Sequence, residues 1–185
     1  MVDFATTDYL AFGNKRQVHC FALLKKYHIM SILVEYSPVV VGTIPINIDI
    51  ASSDIDIICE CKIVDFDVLK QLLSDNFGDY EGFCIARSDE CIVCRFMLEN
   101  QLIEVYVADI PVYKQNAYRH MLIEHRILNL LGEDFRGQVI ERKSEGLKTE
   151  PAFAQLLGLV GNPFTELLKL ESYSDRQIID LYSVK

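Results

Sequence analysis

The stretch VVVGTIPINIDIASSDIDIICE, residues 39–60, decides how this chain is read. It opens as a short β-branched strand and turns at Gly42-Thr43. INIDIA then alternates apolar and polar residues, the period-2 pattern of a strand. DIDIICE reads as the next strand and carries Asp54 and Asp56 two residues apart. Successive strand side chains point to opposite faces, so the two aspartates share one face while Ile55 and Ile57 take the other. Burying ionised carboxylates among so many apolar residues is costly unless something positive compensates them.

Upstream, residues 15–34 place Val18, Phe21, Leu23, Leu24 and Tyr27 at helical spacings. Asn14 is a candidate cap for that helix, and Ser37-Pro38 closes the region because the residue before proline avoids the α basin. Downstream, DFDVLKQLLSDNF predicts a second helix. GFCIARS, CIVCRFML and LIEVYVAD predict three strands joined by short turns, hence an antiparallel meander. From Tyr113 the period becomes helical: a long helix stops at Gly132, a shorter one covers 133–144, and Thr149-Glu150-Pro151 opens another. Asn162-Pro163 breaks that one, and one or two helices finish the chain. The expected architecture is α/β (α+β), with a mixed-sheet core over residues 1–112 and a helical C-terminal bundle over 113–185 packed on it.

On LIEVYVAD the same alternation sets Glu104 apart from Ile103 and Val105. If this strand lies beside DIDII, Glu104 joins Asp54 and Asp56, and three carboxylates so placed repel one another. A divalent cation relieves that repulsion. Mg²⁺ suits an oxygen-only donor set and completes its shell with water and phosphate, and two such ions serve an in-line phosphoryl displacement. Gly42 supplies a strand end where backbone amides can approach a phosphate, and Thr43 adds a hydroxyl. A DxD on a strand is otherwise a solvated face. The glycine turn before it and the later strand carboxylate favour a phosphoryl- or nucleotidyl-transfer site.

Val41-Gly42-Thr43, then Asp54-Ile55-Asp56-Ile57, then Ile103-Glu104-Val105 resemble the pattern of the nucleotidyltransferase superfamily. This is the DNA polymerase beta-like fold, including its minimal type. GTIPINIDIASSDIDIICE, PVYKQNAYRHM and GLKTEPAFA carry a closer resemblance to a small bacterial family of unknown function assigned to that superfamily. The resemblance implies that Asp54, Asp56 and Glu104 bind Mg²⁺ and act in catalysis, and that Gly42 and Thr43 face the triphosphate of ATP or another NTP. Thr43 departs from the usual Gly or Ser. It keeps the hydroxyl and adds a methyl group.

Asn116, His120 and Glu124 recur at helical spacing on one face. His120 is a candidate general acid–base or nucleotide contact, and a solvated or hydrogen-bonded polar stripe is the alternative. Lys148, just before a helix start, is a candidate phosphate contact, with Lys143 a second. Lys15 and Arg16, near a helix start, are further candidates to touch phosphate, with surface charges as the favoured reading. Cys91 and Cys94 form a CxxC with no second ligand pair, and three-residue spacing on a strand turns them apart, so the six cysteines read as reduced, buried thiols.

Half of the 185 residues are hydrophobic and 24% are charged, enough for a core. The net charge of −9 weighs against a nucleic-acid polymer as partner and suits a site that gathers cations. No apolar run reaches the ~20 residues of a membrane span, and MVDFATTDYL has no signal-peptide pattern, so a cytoplasmic protein is expected. The expected activity is transfer of a nucleoside monophosphate from an NTP to a hydroxyl on a small molecule or protein. A decayed nucleotide- or protein-binding module, or an antitoxin-like partner, are the other readings. The acceptor and the oligomeric state are not encoded in any motif.

Overall fold

In the computed structural model of the chain, which describes residues 2–183, strands form where β-branched residues and alternation predict them, with one exception. β1 (Val39–Val41), β2 (Ile55–Glu60), β3 (Cys84–Arg87), β4 (Cys91–Leu98) and β5 (Gln101–Ala108) make one sheet in the order β1-β2-β5-β4-β3. β2 and β5 are parallel and the other neighbours antiparallel, so the sheet is mixed. The expected meander is present. Glu99 and Asn100 link β4 to β5 at φ 49° and 66°, the left-handed pair that a tight hairpin turn requires.

The exception is INIDIA. Ile44–Asn47 form a turn and residues 48–50 are irregular. Ile44, Ile46 and Ile48 are all buried, so the alternation is genuine but belongs to a folded loop. Asn47 at φ 60° ends any extended run. The carbonyls of Ile44 and Pro45 accept from Gln17 Nε2, each at 3.0 Å, instead of from a neighbouring strand.

One sheet face presents Val40, Ile55, Ile57, Cys59, Cys94, Phe96, Ile103 and Val105 to α1 (Lys15–Lys26) and α3 (Phe66–Phe77). Cys20, Leu23 and Leu24 fill this core from α1, and Phe66, Leu69, Leu73 and Phe77 from α3. Each such large side chain contributes ~1.5–3 kcal/mol of transfer free energy. Phe77 and Phe96 stack at 4.6 Å between ring centres. α1 starts at a reciprocal cap: Asn14 Oδ1 accepts from Gln17 N at 2.8 Å, and Gln17 Oε1 accepts from Asn14 N at 3.0 Å. The helix expected over 15–34 is two pieces. His28 at φ 54° separates α1 from the single turn α2 (Ile29–Ile32).

The chain divides into two compact units, Met1–Asn47 with Ser53–Tyr118, and Ile48–Ser52 with Arg119–Lys185. The helices of the second half are α4 (Asn116–Ser144), α5 (Thr149–Leu157), α6 (Pro163–Lys169) and α7 (Asp175–Ser183). α4 is two helices broken at Gly132, φ 80° and ψ −167°, where the sequence predicts the stop. Asn162 caps α6 with Pro163 in its first turn. In the second unit Phe135 meets Phe153 at 5.6 Å and Tyr182 at 5.2 Å, edge-on. No helix among the described residues is long and apolar enough to cross a membrane.

The six cysteines are free thiols. Burial pushes Cys59 and Cys94 up to about 12, which keeps them protonated and inert. Cys84 is exposed and Cys91 half-exposed, because they lie on the sheet face turned away from α1 and α3.

Candidate active site

Asp56 is the second residue of β2, and its partner across the parallel ladder is Glu104 of β5. Register partners project from the same face of a sheet, so these two carboxylates stand side by side, opposite the α1–α3 core. Asp54 lies two residues before Asp56, one residue ahead of β2. The β2–β5 pairing therefore places Asp56 beside Glu104.

The next register position brings a residue the sequence reading passed over. Glu104 pairs with Arg95 of β4, and the guanidinium donates from Nε at 2.6 Å and from Nη2 at 2.5 Å, both to Glu104 Oε2. A cation thus already flanks the third carboxylate. The Arg95 side chain is 45% exposed and that of Glu104 24%, so solvent screens the pair and its net value is ~0–1 kcal/mol. The signal in the sequence was Arg95 at the outward position of CIVCRFML. Using it requires the β4–β5 register.

The glycine turn comes to the same place. Gly42 has φ +81°, and a Cβ added there would overlap Asp56 Oδ2 and lie 3.3 Å from Asp56 Cγ. Only glycine both adopts this conformation without strain and leaves room for the carboxylate. The Thr43 hydroxyl donates to the Ser53 hydroxyl at 3.2 Å, which ties the turn to the residue before Asp54. The Ser53 carbonyl in turn accepts from Arg16 Nη2 at 2.7 Å and from Gln101 Nε2 at 3.1 Å. Arg16, expected as a surface charge, is a structural neighbour of the site.

The other candidates belong to the second unit. Lys148 is exposed at the N-cap of α5, with no side-chain cap bond. Lys143 is no phosphate ligand: it is buried, and its ammonium donates to the Ile48 carbonyl at 2.6 Å. Along the polar stripe on α4 Asn116 is exposed, while His120 and Glu124 are buried. His120 Nδ1 lies 3.2 Å from Glu150 Oε1, and Nε2 lies 2.9 Å from the Phe164 carbonyl. Both ring nitrogens face acceptors, an arrangement only the doubly protonated ring satisfies. Burial pulls the His120 pKa down, but the Glu150 carboxylate and the Phe164 carbonyl outweigh it, and the net direction is up. Burial, then the nearby Glu150 charge, holds Glu124 well above the usual carboxylate range, against the pull of Lys143.

A pH dependence follows. His120 has a raised folded pKa, so its stabilisation is complete below its ordinary 6.5 and is lost as pH rises through the folded value. His120→Gln is expected to cost ~1–3 kcal/mol at pH 6. The gap to the parent should shrink between pH 7 and 9 in denaturant melts. A gap that does not change with pH would refute the assignment. Glu124 adds a separate fall that starts lower, above 4.5, and cancels in the comparison because both proteins carry it.

For a divalent cation the donors are hard carboxylate oxygens, the type Mg²⁺ selects, and the Asp56 carboxylate packs directly against the Gly42 backbone. Asp54 and Asp56 fit that role. Among the described residues no group of three or more His, Cys, Asp or Glu side chains is close enough to hold a metal ion, and Arg95 holds the carboxylate of Glu104.

The fold is similar to that of a Cid1 poly(U) polymerase bound to MgGTP, with TM-score 0.57 and 12% identity over 74% of this chain and 46% of that one. A cytoplasmic RNA terminal U-transferase gives 0.53 at 11% identity, over 83% and 46%. An mtPAP in complex with ATPγS gives 0.51 at 13% identity, over 88% and 38%. The chain spans less than half the length of each of these structures, and at such identities the likeness is one of fold. No curated protein matches the chain. A family model matches residues 22–170, so the chain, which has the nucleotidyltransferase fold, belongs to the family described as domain of unknown function (DUF4269).

Proposed function

We propose that the chain transfers a nucleoside monophosphate from an NTP to a hydroxyl group of a small molecule or a protein. The observation that carries this reading is the contact between Gly42 and Asp56, which sets a left-handed backbone turn against a carboxylate. The nucleotidyltransferase fold supports it. Asp54 and Asp56 would hold Mg²⁺, with Glu104 adjoining. The bound ions would neutralise the triphosphate and steady the leaving pyrophosphate. Backbone amides at Gly42-Thr43 receive the β and γ phosphates. Glu104 takes the proton of the acceptor hydroxyl as its oxygen bonds to the α phosphorus and the bond to the β-phosphate oxygen breaks. Arg95 fixes Glu104 through Oε2 alone, which leaves Oε1 for that proton.

The Arg95–Glu104 pair favours a second reading, a module that binds nucleotide without turnover. One experiment separates the two. The protein is incubated with each α-labelled NTP, Mg²⁺ and mixed hydroxyl acceptors, and pyrophosphate release is followed beside nucleotide-dependent thermal shift. Release with transfer of label is expected. A thermal shift without release selects the binding module, and neither signal with any NTP sinks both.

A further inference from the structure

Arg16 stands apart among the arginines of this chain. Arg87, Arg95, Arg119, Arg126, Arg136, Arg142 and Arg176 each pair with an Asp or Glu in the structure. Arg16 has no such partner among the described residues. It is half-buried, Nη2 donates to the Ser53 carbonyl at 2.7 Å, and Nε is out of contact with water and bonded to nothing. A guanidinium nitrogen withdrawn from water and left unbonded is an unfavourable arrangement, and with no carboxylate paired to it the group is suited to an anionic ligand.

Its surroundings say where that anion sits. Gln17, the next residue, donates to the Ile44 and Pro45 carbonyls immediately after Thr43. Arg16 itself holds the carbonyl immediately before Asp54. Ser53 is bonded from its other side by the Thr43 hydroxyl at 3.2 Å. Arg16 is therefore fixed where the glycine turn and the aspartate pair meet, on the first turn of a capped, 12-residue helix whose N-terminal end is itself electropositive. A planar guanidinium with spare N–H groups is matched to phosphate oxygens.

We propose that Arg16 is a phosphate-binding residue that engages the polyphosphate tail of the nucleotide. This deepens the reading of the same site as an NTP site and rests on it. The ligand class is a polyphosphate, recognised by charge and by N–H donors, with no part in choosing the base.

The test is calorimetric binding of inorganic tripolyphosphate, of a non-hydrolysable NTP with Mg²⁺, and of the nucleoside, to the parent, Arg16→Gln and Arg16→Lys proteins. Arg16→Gln is expected to weaken tripolyphosphate and NTP binding by about 10- to 100-fold, the value of a charge-assisted contact. Nucleoside affinity should stay unchanged and the melting temperature should stay close to the parent's. Arg16→Lys should recover part of the loss. Equal tripolyphosphate affinity in parent and Arg16→Gln overturns the proposal, as does a loss shared equally by nucleoside and NTP, the mark of a merely structural role. A second measurement on the parent needs no variant. Tripolyphosphate should slow modification of Arg16 by phenylglyoxal, read by peptide mass spectrometry, and absence of protection overturns the proposal. If the parent binds NTP with Mg²⁺ and Arg16 proves indifferent, this inference alone falls. If the parent binds neither NTP nor tripolyphosphate, the transferase reading falls with it.

Discussion

Gly42→Ala is expected to weaken Mg²⁺-dependent NTP binding by about 100-fold or more, the loss of two to three positioned contacts, and to cost ~1–3 kcal/mol of stability from an L-residue held at positive φ. The two losses have separate causes. At φ +81° any side chain is strained, and at this position the new methyl group also overlaps the Asp56 carboxylate. Either the turn opens or Asp56 swings away, and both disassemble the site. Gly82 supplies the control. Its φ is +69°, but an added Cβ there meets only Met97 Cγ, at 3.5 Å. Gly82→Ala should lose similar stability and keep its nucleotide affinity. The two variants, compared by denaturant melts and by NTP titration with Mg²⁺, separate strain from site damage. Gly42→Ala binding NTP within threefold of Gly82→Ala would sink the claim that the turn and the carboxylate form one site.

The strands and helix ends were legible because each is specified locally. The alternation of CIVCRFML matches the burial of β4 residue by residue, and that of LIEVYVAD matches β5 as far as Val107, and Asn14, Gly132 and Asn162 punctuate helices where their chemistry predicts. INIDIA misled because a folded loop that buries isoleucines at alternate positions has the same pattern as a strand. What distinguishes it, Gln17 occupying the backbone acceptors, comes from a different element. On α4 the hydrogen-bonded alternative describes His120, whose partners Glu150 and the Phe164 carbonyl come from sequence-distant helices. At the site, Asp54 and Asp56 were readable from their spacing. The approach of Glu104 depends on a parallel pairing between strands about fifty residues apart, which alternation alone could state only as a condition. Arg95 and Arg16 were in plain view as letters, but a charge acquires its partner only when the register and the helix position are known.

Asp56→Asn is expected to reduce pyrophosphate release by about 10³-fold or more, equivalent to ~4 kcal/mol of lost transition-state stabilisation, and the double change Asp54→Asn/Asp56→Asn to abolish it along with Mg²⁺-dependent NTP binding. Asparagine keeps the shape and one oxygen and removes the charge, so the change isolates electrostatics from packing. Neither aspartate belongs to the α1–α3 core, and removing one of several neighbouring carboxylates relieves repulsion, so melting temperatures should hold or rise. The three carboxylates should not be equivalent. Glu104 already has Arg95 on one flank, so part of its charge is answered within the protein, while Asp56 adjoins the glycine turn. Glu104→Gln should therefore depress turnover strongly, through loss of the proton acceptor, while costing much less metal-dependent NTP affinity than Asp56→Asn. Equal losses of affinity in the two variants would mean that Glu104 is a metal ligand on the same footing as Asp56 and that Arg95 releases it when the nucleotide binds. Turnover in Asp56→Asn at the parent's rate would remove Asp56 from the chemistry and leave the binding-module reading in its place.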